Sequence, residues 1–336
     1  MSVALKNLVK RPRVILATLP TPLERGPQLP GGVRLWIKRD DLTGLGVGGN
    51  KARKLEFLCG EAQQLGATSL ITAGADQSNH CAMTAAAGAR LGLETHLVLS
   101  GDKPTTLVGN QLLAARFGAH LHFSGASASH WGELEVHRDA LTDELRADGL
   151  NPYSMPIGGS TPVGALGYIA GFVELMQQCE AAAVKPAAIV FASSSGGTHA
   201  GLAAGRALWR NRGHDVPEVL AVGVSKGVIS GNPDIPTLAN NTLSLIDERG
   251  VRGSDVVIDT RWVGDDYGLP TKAGGDAAHW AARRGGWLLD QVYTAKAFAA
   301  LLANAEAGRW PKGSNVVFLH TGGIATALLP SSESRG

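Results

Sequence analysis

The sequence is poor in the features that mark several large classes of protein. Phe, Trp and Tyr make up only 5% of its 336 residues, and 31 basic residues nearly balance 29 acidic ones. No apolar run approaches the roughly 18 residues of a membrane span. The three cysteines, Cys59, Cys81 and Cys179, form no CxxC pair. We therefore expect neither a membrane or nucleic-acid partner nor a disulfide framework, but a globular cytoplasmic protein.

Glycine is abundant, with 44 residues, and short apolar runs alternate with amphipathic segments. The apolar runs predict buried strands at residues 33–37, 69–73, 95–99, 187–192, 219–224 and 315–319. Helical spacing between these runs predicts an α/β fold with parallel strands, whose ligands bind at the carboxyl ends. The length predicts about two domains. The Gly- and Pro-rich stretch 151–167 is expected to cross between them.

The first glycine-rich run, GLGVGG at residues 44–49, matches the G-x-G-x-x-G pattern of dinucleotide-binding loops. That interpretation would make the protein an NAD-dependent dehydrogenase. However, the run does not directly follow its strand, and no acidic residue ends the next strand to bind a ribose. A nucleoside-triphosphate loop is not supported either, because Lys51 comes one residue too late.

The second glycine-rich run, ASSSGGTHAG at residues 192–201, leads from a predicted strand into a predicted helix. The N–H groups at such a helix start attract anions. One phosphate would fit a set of neighbouring donors, Ser195, Gly196, Gly197 and Thr198. An ordinary capped turn explains the pattern equally well.

Two other predicted helices begin with residues suited to chemistry. Lys51 lies in a first turn, where the helix dipole disfavours a cation, and a desolvated lysine there can act as an amine nucleophile. Lys54, one turn later, can pair with a phosphate, although a solvated basic face is the ordinary explanation of such lysines. Ser78 and Asn79 open the helix after the strand at 69–73, where they can cap the helix or bind a carboxylate.

Tyrosines and histidines offer two further candidate sites. Tyr267 and Tyr293 lie in polar, turn-like segments, where a phenol can act as a general acid or base or can simply face water. His120 and His122 would share one face of a strand. The sequence offers no recognisable third ligand beside them, so no metal site is predicted.

Seven motifs occur in an order and spacing that resemble one enzyme family. They are GGNKARKLEF (48–57), ADQSNH (75–80), IGGSTPVGALGY (157–168), SSGGTHAGL (194–202), YGLPT (267–271), LDQVYTAKA (289–297) and VVFLHTGG (316–323). From about residue 19 to residue 323, the chain resembles the D-cysteine desulfhydrase and aminocyclopropane-carboxylate deaminase group of pyridoxal-phosphate enzymes.

This resemblance implies the tryptophan-synthase-β-like fold, called fold type II. The fold has two open, twisted, mainly parallel sheets flanked by helices. The implied larger, cofactor-binding domain comprises residues 1–50 plus 162–336. The implied smaller domain comprises residues 51–161 and carries the Schiff-base lysine. A homodimer is also expected from the resemblance.

The resemblance implies that Lys51 binds pyridoxal 5'-phosphate covalently. It implies that Lys54 and one loop hold the cofactor phosphate, the loop residues being Ser195, Gly196, Gly197 and Thr198. Asn79 is expected at the ring hydroxyl. The same resemblance implies a small amino-acid substrate whose carboxylate is bound by Ser78, Asn79 and His80. Near the reacting carbons it implies three hydroxyl groups, those of Ser78, Tyr267 and Tyr293.

Position 294 separates the subfamilies. Similar deaminases that open a cyclopropane ring carry Glu there, facing the pyridine nitrogen, whereas this chain carries Thr294. A hydroxyl does not enforce a protonated nitrogen, so the cofactor is a weaker electron sink and β-elimination of a good leaving group is favoured. The expected reaction is that of a D-cysteine desulfhydrase, with an L-cysteate sulfo-lyase or an aminocyclopropane-carboxylate deaminase as alternatives.

The chain also departs from the family pattern, and these departures leave the substrate and its chirality open. After the SNH motif the family often has an Arg-Gln pair where Cys81, Ala82 and Met83 stand. Gln291 replaces a usual Pro, and Ala295 replaces a usual Gly. The residues expected to bind the cofactor are unchanged.

Overall fold

The computed structural model describes residues 3–225, 227, 231 and 234–329 of the chain. The larger sheet has six strands: β1 (Leu23–Arg25), β2 (Arg34–Lys38), β7 (Pro186–Ser193), β8 (Glu218–Gly223), β9 (Val257–Asp259) and β10 (Asn315–Leu319). Their spatial order is β1-β2-β10-β7-β8-β9. All neighbours in this sheet are parallel except β1 and β2.

The smaller sheet has four strands: β3 (Ser69–Gly74), β4 (Glu94–Leu99), β5 (His120–Phe123) and β6 (Pro152–Met155). Their order is β5-β4-β3-β6, and all three pairs are parallel. The predicted fold class, two mainly parallel sheets flanked by helices, is therefore confirmed.

Helices connect the strands, as parallel pairing requires. Within the described residues they are α1 (Val3–Lys10), α2 (Lys51–Gln64), α3 (Asn79–Leu91), α4 (Gly109–Arg116), α5 (Trp131–Ala147), α6 (Pro162–Ala181), α7 (Gly197–Arg210), α8 (Ile235–Ser244), α9 (Lys272–Gly285), α10 (Thr294–Glu306) and α11 (Ile324–Ala327). Hydroxyl caps start several of them: Ser78 caps α3 and Thr161 caps α6. α3 ends at Gly92, whose left-handed backbone suits glycine. No described helix is long and apolar enough to cross a bilayer.

The larger sheet is apolar on both faces, which is why its strands read as continuous hydrophobic runs. Successive side chains of a strand point to opposite faces. Val190 and Phe318 therefore belong to the core cluster that contains Phe298 of α10. Ile189 and Val317 belong to the cluster that contains residues of α6.

A buried ionic network ties α2 to the larger sheet. Both Nε and Nη2 of Arg53 donate to the Asp40 carboxylate at 2.8 Å, and its Nη1 and Nη2 donate to Glu174 of α6 at 3.0 and 2.8 Å. The Tyr168 hydroxyl donates to Asp40 at 2.7 Å. Burial would raise the pKa of Asp40, but the Arg53 charge outweighs it and the pKa lies below its ordinary value. This network fixes the helix that begins at Lys51.

The six predicted strands all form, but four others, β1, β5, β6 and β9, were not predicted. The stretch 151–167, expected only as a crossing, contains β6 and the start of α6. A proline opens β6 and glycines follow it, so the segment reads as a loop. The division into domains at residues 1–50 plus 162–336 and 51–161 stays a prediction.

Candidate active site

A cavity lies at the carboxyl ends of β3 and β7. It contains about 720 Å³ of empty space, part of which is open to solvent. Its lining contains many of the residues predicted from the sequence: Lys51, Ser78, Asn79, His80, Ser195, Gly196, Thr198, Tyr267 and Tyr293. The fold therefore brings together residues more than 200 positions apart in the chain. Three other predicted residues are not in this lining: Lys54, Gly197 and Thr294.

Lys51 is the first residue of α2 and has an unusual electrostatic environment. Burial lowers the pKa of Lys51 to about 8. With that pKa, about one tenth of the amine is neutral and nucleophilic at pH 7. Burial and the neighbouring Lys51 amine lower the pKa of Lys54 well below its ordinary value. The Lys54 Nζ donates to the Gly158 carbonyl at 2.8 Å, which holds this amine beside the second glycine-rich loop.

That loop joins β7 to α7 through a tight turn. Gly196 has a φ of 83°, in the left-handed region that glycine adopts easily. A Cβ at Gly197 would lie only 2.6 Å from the Lys54 Nζ, and a Cβ at Gly158 would lie 2.0 Å from the Ser195 Oγ. At both glycines the backbone therefore packs directly against these side chains. The Gly197 N–H donates to Ser160 Oγ, but the N–H groups of the next residues, Thr198 and His199, have no acceptor within the helix and are suited to bind an anion such as a phosphate.

Hydroxyl groups complete the loop. Ser160 Oγ donates to Ser195 Oγ at 2.9 Å and accepts the Gly197 N–H at 3.2 Å. Asn50 Nδ2 donates to Thr198 Oγ1 at 2.9 Å. Because this bond occupies a lone pair of Thr198, the hydroxyl hydrogen remains available to a ligand.

The start of α3 forms the opposite part of the lining. Ser78 and Asn79 lie at its N-terminus, where N–H groups and the helix dipole favour a negative charge. Asn79 Oδ1 accepts from Asn110 Nδ2 at 2.8 Å, which leaves the Asn79 amide nitrogen as a donor. His80 Nε2 pairs with Thr72 Oγ1 at 3.1 Å. Burial, together with the nearby lysines, lowers the pKa of His80 well below its ordinary value.

The two predicted tyrosines meet at the cavity. The hydroxyls of Tyr267 and Tyr293 are 2.5 Å apart, and the rings of Trp131 and Tyr267 pack edge-to-face with centroids 5.6 Å apart. Burial raises the pKa of Tyr267 to about 12. Burial and the Tyr267 hydroxyl raise the pKa of Tyr293 well above its ordinary value. Both phenols therefore keep their protons at neutral pH.

Thr294 points its hydroxyl at a neighbouring carboxylate. Its Oγ1 donates to Asp290 Oδ2 at 2.6 Å and accepts the Asp290 N–H at 2.9 Å. The backbone N–H groups of Val292, Tyr293 and Thr294 also donate to Asp290 at 2.7 to 3.0 Å. These four hydrogen bonds occupy all four lone-pair positions of the Asp290 carboxylate. The predicted contact of Thr294 with the cofactor ring stays a prediction.

The structure adds lining residues that the sequence did not single out as site residues: Asn50, His199, Asp290 and Thr321. Each lies in or beside a recognised motif, so the motif identified the neighbourhood but not the side chain. Ser160 was likewise not singled out, although it lies within the recognised motif at residues 157–168.

Comparison with known proteins decides the family. The model of the family described as pyridoxal-phosphate dependent enzyme matches residues 14–322. The chain belongs to this family. The structure of an ACC deaminase homologue is 35% identical, with a TM-score of 0.86, and the match covers 97% of this chain and 96% of that one. This confirms the recognised group, in which ACC stands for aminocyclopropane-carboxylate.

More distant members share the fold. The T.th. threonine deaminase is 22% identical, with a TM-score of 0.66 and coverage of 95% of this chain and 97% of that one. An L-serine ammonia-lyase from Rhizomucor miehei is 21% identical, with a TM-score of 0.64 and coverage of 92% and 94%. Fold type II, the pyridoxal-phosphate cofactor and an enzyme of the lyase and deaminase class are thereby confirmed.

The cavity fits that cofactor. It combines the N-terminus of α7, a lysine of lowered pKa and two imidazoles with unused nitrogens. His80 Nδ1 and His199 Nε2 are buried and have no hydrogen-bond partner within the described part of the chain. An unpaired buried polar atom is costly, so both nitrogens are suited to meet a polar ligand. A dehydrogenase built on residues 44–49 gains no support from the family match.

Proposed function

We propose that the protein catalyses β-elimination from a cysteine-like amino acid, in the manner of a D-cysteine desulfhydrase. Cysteine and one water would yield pyruvate, ammonia and hydrogen sulfide. The proposal rests on Thr294, a residue with a hydroxyl at the position where, by the family resemblance, ring-opening deaminases carry Glu. Asp290, the carboxylate bonded to Thr294, has its acceptor capacity used by four local donors and offers no substitute.

In this proposal, Lys51 holds the cofactor covalently, and the phosphate lies in the cradle of Ser195, Gly196, Gly197 and Thr198. Lys54 supports that cradle from behind, since its amine lies against Gly197. The bound cofactor supplies an electron sink that stabilises negative charge on the substrate α-carbon. The protein's own residues must then bind the carboxylate and move the protons.

The start of α3 is proposed to bind the substrate carboxylate. Ser78 uses its oxygen to accept the Cys81 N–H, which leaves its hydroxyl hydrogen free for a ligand. The amide nitrogen of Asn79 is also a free donor. Together with the helix dipole, these groups form a site for one carboxylate. His80 lies behind them as a neutral ring, because burial lowers its pKa.

Lys51 and the tyrosines are suited to opposite directions of proton transfer. The Lys51 amine, with its pKa lowered by burial to about 8, can accept a proton near neutral pH. Tyr267, with its pKa raised by burial to about 12, retains its proton and can donate it to a departing sulfur. Tyr293 donates to or accepts from Tyr267 across 2.5 Å and can restore that proton.

The proposal is tested by offering the holoenzyme both enantiomers of cysteine, cysteate and serine, together with chloroalanine and aminocyclopropane-carboxylate. Released 2-oxo acid and sulfide are measured separately. We expect both products from D-cysteine at the highest kcat/KM of the set. Release of 2-oxo acid from the cyclopropane substrate but not from cysteine would overturn the assignment.

The role of Tyr267 has its own control. Chloride leaves without a proton, whereas sulfur leaves more readily with one. Tyr267→Phe should therefore slow elimination from cysteine more than elimination from chloroalanine. An equal loss with both substrates would mean that Tyr267 shapes the cavity without donating the proton. Trp131→Phe, which alters the aromatic ring beside Tyr267 and keeps the Tyr267 hydroxyl, is the matched variant.

The oligomeric state and the cellular location of the protein remain predictions. A homodimer, expected from the family resemblance, is tested by the mass of the holoenzyme in solution. A cytoplasmic location, expected from composition, is tested by fractionation of the source cells.

A further inference from the structure

A group of imidazole and carboxylate side chains lies on the smaller sheet, away from the cavity. Glu94 and His96 belong to β4, and His120 and His122 belong to its neighbour β5, the edge strand. His96 pairs with His120 in the strand register. Residues two apart share a face of a strand, so the register gathers all four side chains on one face.

The contacts within this group are close. Glu94 Oε1 lies 3.1 Å from His96 Nε2 and 3.2 Å from His120 Nε2. The ligand atoms of these three residues all lie within 4.8 Å of one another. The rings of His96 and His120 stack with centroids 4.7 Å apart. The Glu94 carboxylate and the imidazoles of His96 and His120 are thus held together at the edge of the smaller sheet.

These distances resemble the edges of a metal coordination shell. A zinc ion bound tetrahedrally at about 2.0 to 2.1 Å from each ligand separates its donors by about 3.3 Å. We propose that Glu94, His96 and His120 form a binding site for a divalent transition-metal ion of the zinc type. A site with two imidazoles and one carboxylate favours such ions over calcium or magnesium, which prefer oxygen ligands. Water would complete the shell, because the Glu94 and His120 side chains are exposed.

His122 supplies the support that a metal-binding histidine usually has. His96 Nδ1 lies 3.2 Å from His122 Nε2. A hydrogen bond from His96 Nδ1 to His122 would fix the tautomer in which Nε2 carries the lone pair directed at Glu94 and His120. His96 is only 5% exposed, so its ring is already held in place.

The location makes the ion a structural cross-link. None of these four residues lines the cavity that contains Lys51. The three ligands come from β4 and from the edge strand β5, so a bound ion would join them independently of their backbone hydrogen bonds. Because the three ligands come together only in the folded state, a bound metal would stabilise that state and raise the unfolding temperature.

The test uses holoenzyme passed over a chelating resin and then dialysed against micromolar ZnCl₂ without amino-acid substrate, since a thiol would compete for zinc. Zinc per chain is measured by atomic emission, and CoCl₂ is used in parallel because its absorption reports the coordination geometry. We expect one ion per chain, a tetrahedral cobalt spectrum and a zinc-dependent rise in unfolding temperature.

Variants decide whether these residues are the ligands. His120→Ala and Glu94→Gln alter exposed side chains and should each weaken zinc binding about tenfold or more, with basal activity retained. His137→Ala, an exposed histidine on α5, is the matched control and should bind zinc like the wild type. The proposal is overturned if the wild type binds no zinc under these conditions, or if His120→Ala binds it with unchanged affinity.

Discussion

Thr198→Val isolates the contribution of one hydroxyl to cofactor binding. Thr198 is 5% exposed and lies in the first turn of α7. Its oxygen accepts from Asn50, so its hydrogen is available to the phosphate. Valine has a similar shape but removes this donor and also leaves the Asn50 amide without its acceptor. The backbone N–H groups of the loop are unchanged.

A hydrogen bond to a charged group contributes about 1 to 3 kcal/mol, so the dissociation constant should rise about 5- to 150-fold. The assay is titration of the apoenzyme with pyridoxal phosphate, followed by visible absorption. Thr198→Ser keeps the hydroxyl and should bind nearly as well as the wild type. Equal affinity of the valine variant and the wild type would refute the assignment of this loop to the phosphate.

Three further outcomes are expected. Lys51→Ala should lose both 2-oxo acid release and the visible absorption of covalently held cofactor; absorption that persists would indicate attachment at another lysine. Because burial lowers the pKa of Lys51 to about 8, its amine is protonated below that pH, and the rate of covalent cofactor uptake by the apoenzyme should rise with pH and level off above about 8. Asp40→Asn leaves the buried Arg53 charge with only one of its two carboxylate partners, Glu174, and should cost about 3 kcal/mol in urea unfolding, whereas Asp276→Asn, in an exposed ion pair, should change stability by at most about 1 kcal/mol.

The fold could be predicted where one physical requirement dominates the sequence. The run at residues 315–319 matches β10 because a strand buried on both faces needs an unbroken apolar pattern. The short strands β5 and β6 lack that pattern. β5 carries His120 and His122 on its face, and β6 begins with Pro152. Their strand conformation depends on pairing with β4 and β3, which the local sequence does not encode.

The candidate site divides in the same way. Helix starts with lysine, serine or glycine could be found from local rules, because caps and dipoles act within one turn. The residues that these helix starts contact could not be predicted from local rules. Asn50 contacts Thr198 across 148 positions, and Lys54 contacts Gly158 across 104. Such contacts arise only when two sheets place their carboxyl ends together.

The histidine group on the smaller sheet shows the same limit most clearly. The sequence places His120 and His122 two positions apart and offers no third ligand nearby. The two other proposed ligands, Glu94 and His96, belong to β4, with His96 24 residues before His120, and the crossover through α4 brings them alongside. A shift of one residue in the β4–β5 register would turn His120 and His122 to the opposite face from His96 and Glu94. The site therefore depends on the register, and the register is set by packing of the whole sheet. A search for metal ligands by spacing along the chain misses such a group, whereas a search across neighbouring strands finds it.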